Sequence, residues 1–403
     1  MNERIVYNFL TGEKAVEERK AVFALDMGSA NFTLALVSLG ENKIIKAVSM
    51  PSPKIDFGIK DMARVDFCAK NTVKKLRLRV LETINEMITD IGSSPVEKMY
   101  VSGNANLIYA LFCIDETYMG DEACAVDYLE NKMEYSGRIG LKGVKKVLSL
   151  PSVSYQIGAD VVASMYYLST PENKRYNLLL DLDTEPKVVL YSKHGGVGAS
   201  PFALSLFDNL HIDCAAKATK GSIYSFKLDN GKSEYKTIGN LEANGFSGIA
   251  LCDVIAEFTR NRIIDEHGCL SSEYRVCDGV TISMADVKAY RLATFAVRLA
   301  IQTLMEEVKI NFADISNLYI CSDFPVKINV ENASYIGLFP SELKDKAVIV
   351  KNSSLFGTVK KACEGGSLRC LAKRMKYIDL SKNTSFKEAL ESICSIEENT
   401  NEA

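Results

Sequence analysis

The sequence predicts an α/β protein made of two similar halves. The chain has 403 residues, a length at which one hydrophobic core usually gives way to more than one domain. Stretches with strand and helix periodicity alternate along it, which is typical of α/β folds. A buried strand followed by a turn that begins with aspartate occurs twice, at Asp26 and at Asp181, which indicates an internal duplication.

The first half opens with two predicted strands around a tight turn. In Ala21–Leu39 an apolar run ends at Asp26-Met27-Gly28-Ser29, and apolar residues then alternate with smaller ones. Apolar residues at spacings of three and four predict a helix over Asn71–Ile91. The other predicted elements of this half are a strand at Met99–Ser102 and helical runs at Leu107–Ile114 and Gln156–Leu168.

The second half begins by repeating the opening motif. Asn177–Tyr191 aligns with the first two strands so that Asp181 falls on Asp26 and Thr184 on Ser29. Asp229-Asn230-Gly231 is a typical hairpin turn and predicts paired strands over Ser222–Ile238. The other predicted elements are a loop at Asn244–Gly248 entering a helix through Ile264, a helix over Met284–Ile310 capped by Ser283 and Asp286, and a strand at Asn317–Cys321.

Composition and charge narrow the class of protein. With 47% hydrophobic and 25% charged residues the chain matches an ordinary globular protein. The formal net charge of -3 supplies no basic field for nucleic acid or an anionic membrane, so we expect neither as a partner. No apolar run reaches the roughly 18 residues of a membrane span, and the start lacks a signal-peptide pattern. We therefore expect a cytoplasmic protein.

The cysteines do not form a recognisable metal or cluster motif. There are 11 of them and 3 histidines, and no two cysteines have the C-x-x-C spacing. Structural zinc and iron–sulfur sites normally need such close pairs, because one loop presents two thiolates to one metal. The pattern predicts free thiols in a reducing compartment and no iron–sulfur cluster, with a redox centre as the alternative.

The first aspartate turn has the residue types of a phosphate site. A glycine at position 28 lets backbone N–H groups approach a phosphate, the Ser29 hydroxyl can bond a phosphate oxygen, and the Asp26 carboxylate can hold a hydrated Mg²⁺. A plain hairpin turn is the alternative. The repeat at Asp181 favours a nucleotide site, because two such turns can face one another across a cleft.

Motifs along the whole chain resemble one family of proteins. The sequence contains, in order, ALDMGSA, GNANLIYALF (Gly103–Phe112), QIGADVVASM (Gln156–Met165), LLLDLDTEP, NGFSGIALCDVIAEF (Asn244–Phe258), ENASYIGLFP (Glu331–Pro340) and VKNSSLFGTV (Val350–Val359). These segments resemble the ATPase-like domain of the reductive activators of corrinoid proteins. That domain belongs to the actin, sugar-kinase and heat-shock-protein ATPase (ASKHA) superfamily.

The resemblance implies a duplicated fold around a cleft. The implied boundaries are a leader at 1–18, a first domain at 19–172, a second at 173–360, and a segment at 361–403 that packs back on the first domain. It further implies ATP and Mg²⁺ as cofactors. The residues it places at the nucleotide are Asp26, Gly28, Ser29, Asp181, Asp183, Thr184, Gly245, Gly248 and Ser322, with Asp26 and Asp181 toward Mg²⁺.

Two turns depart from the family pattern. Where the family carries D-x-G-T-N-G, this chain has Asp181-Leu182-Asp183-Thr184-Glu185-Pro186, which loses two glycines and gains two carboxylates. Proline at 186 also removes a backbone N–H donor. Ser322 and Asp323 stand where two glycines would leave room for adenine, and the loop with Gly245 and Gly248 keeps two of three glycines. These changes predict weak or absent ATP binding and hydrolysis.

Several polar residues have two possible roles. Asp160 stands where the resemblance implies a water-orienting catalytic carboxylate, and its alternative role is the N-cap of a helix over Val161–Leu168. Asn104 is expected to cap the helix that follows it, with contact to a ligand as the alternative. Asn352 and Ser353 are likewise expected to be helix caps.

The resemblance implies a corrinoid protein or a corrinoid-dependent methyltransferase as the partner. The leading hypothesis is a protein that binds this partner and assists or regulates its reductive activation, with weak or absent ATP hydrolysis and without an iron–sulfur module. The alternatives are an active ATP-dependent corrinoid activation ATPase with a separate electron donor and a small-molecule kinase. Since family members are often dimeric, a homodimer is compatible with the resemblance.

Overall fold

The computed structural model describes residues 5–8, 21–53, 70–113, 130–168, 175–182, 185–201, 212–216, 219–322 and 328–399. Its strands are β1 (Ile5–Asn8), β2 (Ala21–Met27), β3 (Asn31–Ser38), β4 (Lys43–Pro51), β5 (Val96–Gly103), β6 (Met133–Tyr135), β7 (Val144–Ser149), β8 (Tyr176–Asp181), β9 (Lys187–Ser192), β10 (Gly195–Ala199), β11 (Ile223–Asp229), β12 (Lys232–Thr237), β13 (Tyr274–Cys277), β14 (Val280–Ile282), β15 (Ile315–Ser322), β16 (Ala347–Lys351) and β17 (Met375–Tyr377).

Its helices alternate with these strands. They are α1 (Lys70–Ile91), α2 (Ala105–Phe112), α3 (Ser136–Ile139), α4 (Ala159–Leu168), α5 (Gly248–Arg260), α6 (Met284–Glu307), α7 (Val330–Tyr335), α8 (Ser353–Glu364), α9 (Arg369–Lys373) and α10 (Thr384–Asn399). The α/β class predicted from the sequence is confirmed.

The first large sheet has seven strands in the order β1-β4-β3-β2-β5-β7-β6. Strands β2 and β3 form an antiparallel hairpin, while β2 pairs with β5 in parallel. This hairpin is the strand–turn–strand unit predicted around residues 26–29. The parallel pairing aligns Asp26 with Ser102 and Met27 with Gly103, so the polar ends of the two strands meet at one edge of the sheet.

Alternation along β2 divides its side chains between two cores. One core combines Phe23 and Leu25 with apolar residues of α1, which include Leu76 and Val80. The other combines Val22 with residues of α8 such as Leu355. Because successive strand residues point to opposite faces, Asp26 lies on the same face as Val22 and is directed toward α8.

The second large sheet has six strands in the order β16-β15-β8-β9-β10-β17. Strands β8 and β9 are an antiparallel hairpin in which Asp181 pairs with Lys187, and β10 pairs in parallel with β17. This hairpin is the predicted repeat of the opening motif.

Two smaller hairpins complete the strands. The predicted Asn230-Gly231 turn joins β11 and β12, and both turn residues have positive φ, at 48° and 77°. Such a pair of left-handed residues suits the right-handed twist of a two-residue hairpin. The other hairpin pairs β13 with β14.

The predicted helix ends need correction at their C-terminal sides. The helix after Gly248 ends at Arg260 rather than Ile264, because Asn261 caps it and Ile264 forms an isolated bridge with Leu270. The helix predicted to reach Ile310 ends at Glu307. Its start is as predicted, since Ser283 and Asp286 form a reciprocal capping box.

Packing divides the chain into two compact units. The first comprises Met1–Gly198, Cys321–Asp323 and Val350–Ile378, and the second comprises Ala199–Ile320, Phe324–Ile349 and Asp379–Ala403. The resemblance implies domain boundaries at 172/173 and 360/361 from the repeat of the sequence motifs rather than from packing. Those boundaries stay a prediction. None of the helices in the described part of the chain is long and apolar enough to cross a membrane.

Candidate functional site

Asp26 is the centre of a buried hydroxyl cluster. It is 5% exposed, and its Oδ1 accepts hydrogen bonds from Ser102 Oγ at 3.0 Å and from Ser354 Oγ at 2.6 Å. Thr358 Oγ1 lies 2.7 Å from Ser102 Oγ and donates to the Ser354 carbonyl at 2.9 Å. Hydrogen bonds from neutral donors stabilise a carboxylate that burial would otherwise destabilise. Strand β5 and helix α8 therefore hold Asp26 in a fixed polar environment.

The turn after Asp26 is tied to the start of α2. The Gly28 N–H donates to the Asn31 carbonyl at 3.0 Å, which closes the turn of the hairpin. Asn104 accepts the Leu107 N–H at 3.1 Å, as predicted for a helix cap, and its amide donates to the buried Ser29 hydroxyl at 3.1 Å. Ser29 is thus engaged with the cap of α2.

A glycine is required where β2 and β5 end side by side. A Cβ on Gly103 would lie 2.9 Å from the Cβ and the carbonyl oxygen of Met27. Real Cβ contacts essentially never come so close, so a side chain at this position would push the two strand ends apart. The GN pair of the GNANLIYALF segment therefore combines a close backbone approach at Gly103 with a helix cap at Asn104.

Asp160 and Asp181 share a buried lysine. The ammonium nitrogen of Lys187 lies 3.8 Å from Asp160 Oδ2 and 3.9 Å from Asp181 Oδ2. The Lys187 side chain is 6% exposed, against 15% for Asp160 and 18% for Asp181. The lysine also donates to the Glu185 carbonyl at 3.5 Å. A lysine this buried is normally retained only where anionic groups compensate its charge.

Asp160 lies inside its helix rather than before it. Helix α4 begins at Ala159, so Asp160 is in the first turn and accepts the Val161 N–H at 2.8 Å. The N-cap role at Val161–Leu168 is therefore wrong in its position, although a carboxylate in the first helical turn is still favoured by the exposed N–H groups. The catalytic role of Asp160 stays a prediction.

The second phosphate turn is described only in part. Asp181 ends β8, and the next residue, Leu182, donates its N–H to the Cys321 carbonyl at 3.0 Å. Asp183 and Thr184 lie outside the described residues. Pro186 has no N–H to offer, and Lys187 begins β9.

Gly245 and Gly248 have different structural roles. Gly245 has a φ of 134°, and a Cβ on it would lie 2.8 Å from the Cβ of Ala216. Gly248 is the first residue of α5 and has open space around it. Ser247 caps this helix by accepting the Ala250 N–H at 3.3 Å. Close backbone packing thus explains Gly245, whereas no described residue lies close enough to position 248 to require a glycine there.

The remaining predicted residues differ in how they bond. The backbone of Ser322 ends β15, and Asp323 lies outside the described residues. Asn352 occupies the N-cap position of α8 in a left-handed conformation, but its side chain makes no capping bond. Ser353 is the first helical residue and its hydroxyl pairs with that of Ser164 at 2.8 Å. The capping predicted for these two side chains is therefore wrong.

The described residues do not fit a Mg²⁺ ion at the second turn. A metal ion bound to Asp181 would lie beside the Lys187 ammonium, and like charges in a partly buried site repel one another. Within the described ranges, His, Cys, Asp and Glu side chains form no group of three that could hold a metal. At the first turn the Asp26 oxygen already accepts two hydroxyls. The Mg²⁺ role of both aspartates stays a prediction that this geometry does not favour.

Sequence reasoning missed four members of these clusters: Ser102, Lys187, Ser354 and Thr358. A signal existed for Lys187, since it heads the apolar segment VVLY directly after the turn and is the cross-strand partner of Asp181. No local signal exists for Ser354, because it lies 328 residues from the aspartate that it contacts.

The described cysteines differ in exposure. Cys113 and Cys370 are exposed, whereas Cys214 and Cys252 are buried, and all four are free. Burial, followed by the charge of Asp286, raises the pKa of Cys214 to about 12. Burial also raises the pKa of the Cys252 thiol well above its usual range. The expectation that the protein carries no iron–sulfur cluster stays a prediction.

The chain matches two family models over nearly its whole length. A model described as the C-terminal domain of RACo, the ASKHA domain, matches residues 175–402. A second, described as the RACo middle region, matches residues 22–172. The motifs that resemble corrinoid activators all lie within one or the other of these two matched regions.

Relatives and a solved structure agree with these matches. The corrinoid activation enzyme RamQ of Eubacterium limosum is 23% identical over 80% of this chain and 61% of its own length. The [Co(II) methylated amine-specific corrinoid protein] reductase of Methanosarcina barkeri is 25% identical over 82% of this chain and 68% of its own length. A reductive activator for a corrinoid, iron–sulfur protein has the same fold, with a TM-score of 0.75 at 23% identity over 94% of this chain and 66% of that one. The chain therefore spans about two thirds of the length of each of these three proteins.

Proposed function

The chain belongs to the family of the RACo C-terminal ASKHA domain, and we propose that it binds a corrinoid protein, or a corrinoid-dependent methyltransferase, and assists or regulates its reductive activation. The observation that carries this proposal is the match to two successive RACo regions over residues 22–172 and 175–402. The names of RamQ and of the Methanosarcina barkeri reductase support the same class of partner.

In the proposed reaction one electron passes from a separate donor to the partner's cobalt, which changes from Co(II) to Co(I). The chain binds the partner and influences this step. We propose that the electron donor is a separate reductant.

We further propose that ATP hydrolysis by this chain is weak or absent. Lys187 lies against the carboxylate of Asp181, where the family fold would hold Mg²⁺ and phosphate. Pro186 removes an N–H donor, and two hydroxyls already bond the Asp26 carboxylate. Losing two or three charge-assisted hydrogen bonds, each contributing ~1.5–3 kcal/mol, weakens binding by several orders of magnitude.

A direct test uses a Co(II)-loaded, methylated-amine-specific corrinoid protein as the probe partner. Under anaerobic conditions, titanium(III) citrate supplies the electron and becomes Ti(IV), while the visible spectrum reports the conversion of Co(II) to Co(I). We expect the chain to change the rate of Co(I) formation relative to a reaction without it, and to do so equally with and without ATP and Mg²⁺.

The other possible outcomes of this experiment would favour an alternative function or refute the corrinoid role. Acceleration that requires ATP, with stoichiometric release of phosphate, would establish the active ATPase with a separate electron donor. Absence of any effect on cobalt, together with no association in analytical ultracentrifugation, would refute the corrinoid role. ADP formation that depends on an added small molecule would instead establish a kinase.

Calorimetry of ATP binding tests the nucleotide part on its own. We expect a dissociation constant no better than about 1 mM, which corresponds to about -4 kcal/mol. Asp183→Gly and Pro186→Gly, which restore the two glycines of the family pattern, should tighten binding if the lost backbone donors cause the weakness. Micromolar ATP binding by the unmodified chain with Mg²⁺ would contradict the proposal and favour the ATPase alternative.

A further inference from the structure

The ammonium group of Lys187 lies close to two carboxylates, one on the second hairpin and one on a helix. Asp181 ends β8 and Asp160 belongs to the first turn of α4, so the two carboxylates come from separate elements. Lys187 Nζ lies 3.8 Å from one and 3.9 Å from the other. The lysine side chain is more deeply buried than either partner, with 6% exposure against 15% and 18%.

The strand register explains this arrangement. In the β8–β9 hairpin, Asp181 stands directly opposite Lys187, and residues opposite one another project to the same face of the sheet. In the β2–β3 hairpin, the aligned Asp26 stands opposite Thr33, a residue without charge. There the carboxylate accepts hydroxyls instead. The aspartate at the end of the first strand of each hairpin therefore has different partners in the two halves: hydroxyl groups at Asp26 and an ammonium at Asp181.

We propose that Lys187 is a built-in cation that takes the place of a divalent metal ion between Asp160 and Asp181. A hard cation such as Mg²⁺ prefers carboxylate oxygens and water. A divalent ion held by these two carboxylates, directly or through its water shell, would compete with an ammonium that lies within 4 Å of both. The ammonium neutralises part of the carboxylate charge, and the chain keeps this site metal-free.

The same geometry predicts what happens when the lysine is removed. Two carboxylates, each partly accessible to solvent, then lose their shared cation while the strand and the helix still hold them near one another. A cation from solution can then take the position of the ammonium between them. Replacing Lys187 by a neutral residue should therefore create a site for a hard divalent cation.

Mn²⁺ is the probe, because binding removes the electron paramagnetic resonance signal of the free ion. We expect the wild-type chain to bind Mn²⁺ no more tightly than about 1 mM. Lys187→Met, which keeps much of the side-chain volume without its charge, should bind at least about tenfold more tightly. Adding Asp160→Asn to Lys187→Met should abolish the gain, and Lys187→Arg, which keeps the charge, should behave like the wild type.

Folding of each variant is checked by near-ultraviolet circular dichroism. If Lys187→Met does not fold, Lys187→Thr replaces it, since threonine is the residue opposite the aligned aspartate in the first hairpin. A folded Lys187→Met or Lys187→Thr chain with wild-type Mn²⁺ affinity overturns the proposal. The wild-type chain gives a second, independent test. A dissociation constant for Mn²⁺ below 0.1 mM would be on the order of tenfold tighter than expected. If Asp160→Asn abolished that binding, the ammonium would be shown not to exclude metal.

The inference shares the position of Lys187 with the proposal of weak ATP hydrolysis, so tight Mn²⁺ binding by the wild-type chain would count against both. It does not depend on the proposed corrinoid partner, since its readout is metal binding by the chain alone. A corrinoid partner that fails to respond would leave the Mn²⁺ result unchanged. Conversely, a wild-type chain that binds Mn²⁺ tightly could still act on a corrinoid protein.

Discussion

The close contact between α4 and α8 depends on Gly357, and the substitution Gly357→Ala tests this contact. A Cβ on Gly357 would lie 1.9 Å from the carbonyl oxygen of Ala163 and 2.4 Å from its carbonyl carbon. Ordinary contacts begin near 3.4 Å. Helix α4 would therefore have to move by about 1.5 Å, because backbone atoms of a helix cannot rotate away as a flexible side chain can.

The magnitude follows from two opposing effects. Overpacking a well-packed contact costs about 1–3 kcal/mol and occasionally more, and here the obstacle is rigid backbone. Alanine is favoured over glycine in a helix by about 0.8–1 kcal/mol, which offsets part of this cost. Because the obstacle is rigid backbone, we take an overpacking cost of about 3–4 kcal/mol. Less about 1 kcal/mol of helix preference, this cost lowers the free energy of unfolding of Gly357→Ala by about 2–3 kcal/mol.

The displacement would reach the candidate site. Helix α8 carries Ser354 and Thr358, which belong to the Asp26 cluster, and α4 carries Asp160. Separating the helices should also break the hydrogen bond between the Ser164 and Ser353 hydroxyls, which are 2.8 Å apart.

Thermal unfolding followed by far-ultraviolet circular dichroism measures the effect. For a unit of this size, 2–3 kcal/mol corresponds to a melting midpoint lower by about 4–12 °C. Gly248→Ala is the matched control, since Gly248 is also helical and a Cβ there meets nothing within 4 Å. The control should stay within about 1 kcal/mol of the wild type. If Gly357→Ala had the same melting midpoint as Gly248→Ala, the close contact between the two helices would be refuted.

Two further predictions concern ionisable groups of the second unit. Burial raises the pKa of Asp286, but hydrogen bonds from Ser283 and from the Cys214 backbone outweigh burial and hold this pKa below its usual value. Its stabilising effect is therefore present above the unfolded-state pKa of about 3.9 and is lost as pH falls through the lower folded-state value. Asp286→Asn should accordingly destabilise the protein at pH 7, and urea titrations should show this difference shrinking below about pH 4; a difference independent of pH would count against the prediction. At pH 8, iodoacetamide should alkylate Cys214 and Cys252 at least about tenfold more slowly than the exposed Cys113, because their raised pKa values leave little thiolate. Peptide mass spectrometry measures the three alkylation rates, and equal rates would contradict the burial of Cys214 and Cys252.

Local features of the fold were predictable because their causes are local. An apolar run before an aspartate turn predicted both hairpins, and Asn230-Gly231 predicted a third through its left-handed backbone. The capping box of Ser283 and Asp286 located the start of α6, since its two hydrogen bonds join residues three apart. Helix ends were less predictable, because side chains that could continue a helix give no clear stop signal.

The sequence by itself determined the α/β class, the paired aspartate turns and the family resemblance, all of which depend on residue order and short spacing. Only the tertiary structure decided what surrounds each aspartate. Ser354 reaches Asp26 from 328 residues away, and Lys187 reaches Asp160 because a strand and a helix converge. No periodicity encodes such meetings. Whether a carboxylate accepts a hydroxyl, an ammonium or a metal ion depends on which side chains packing brings within about 4 Å of it, since electrostatic interactions weaken with distance.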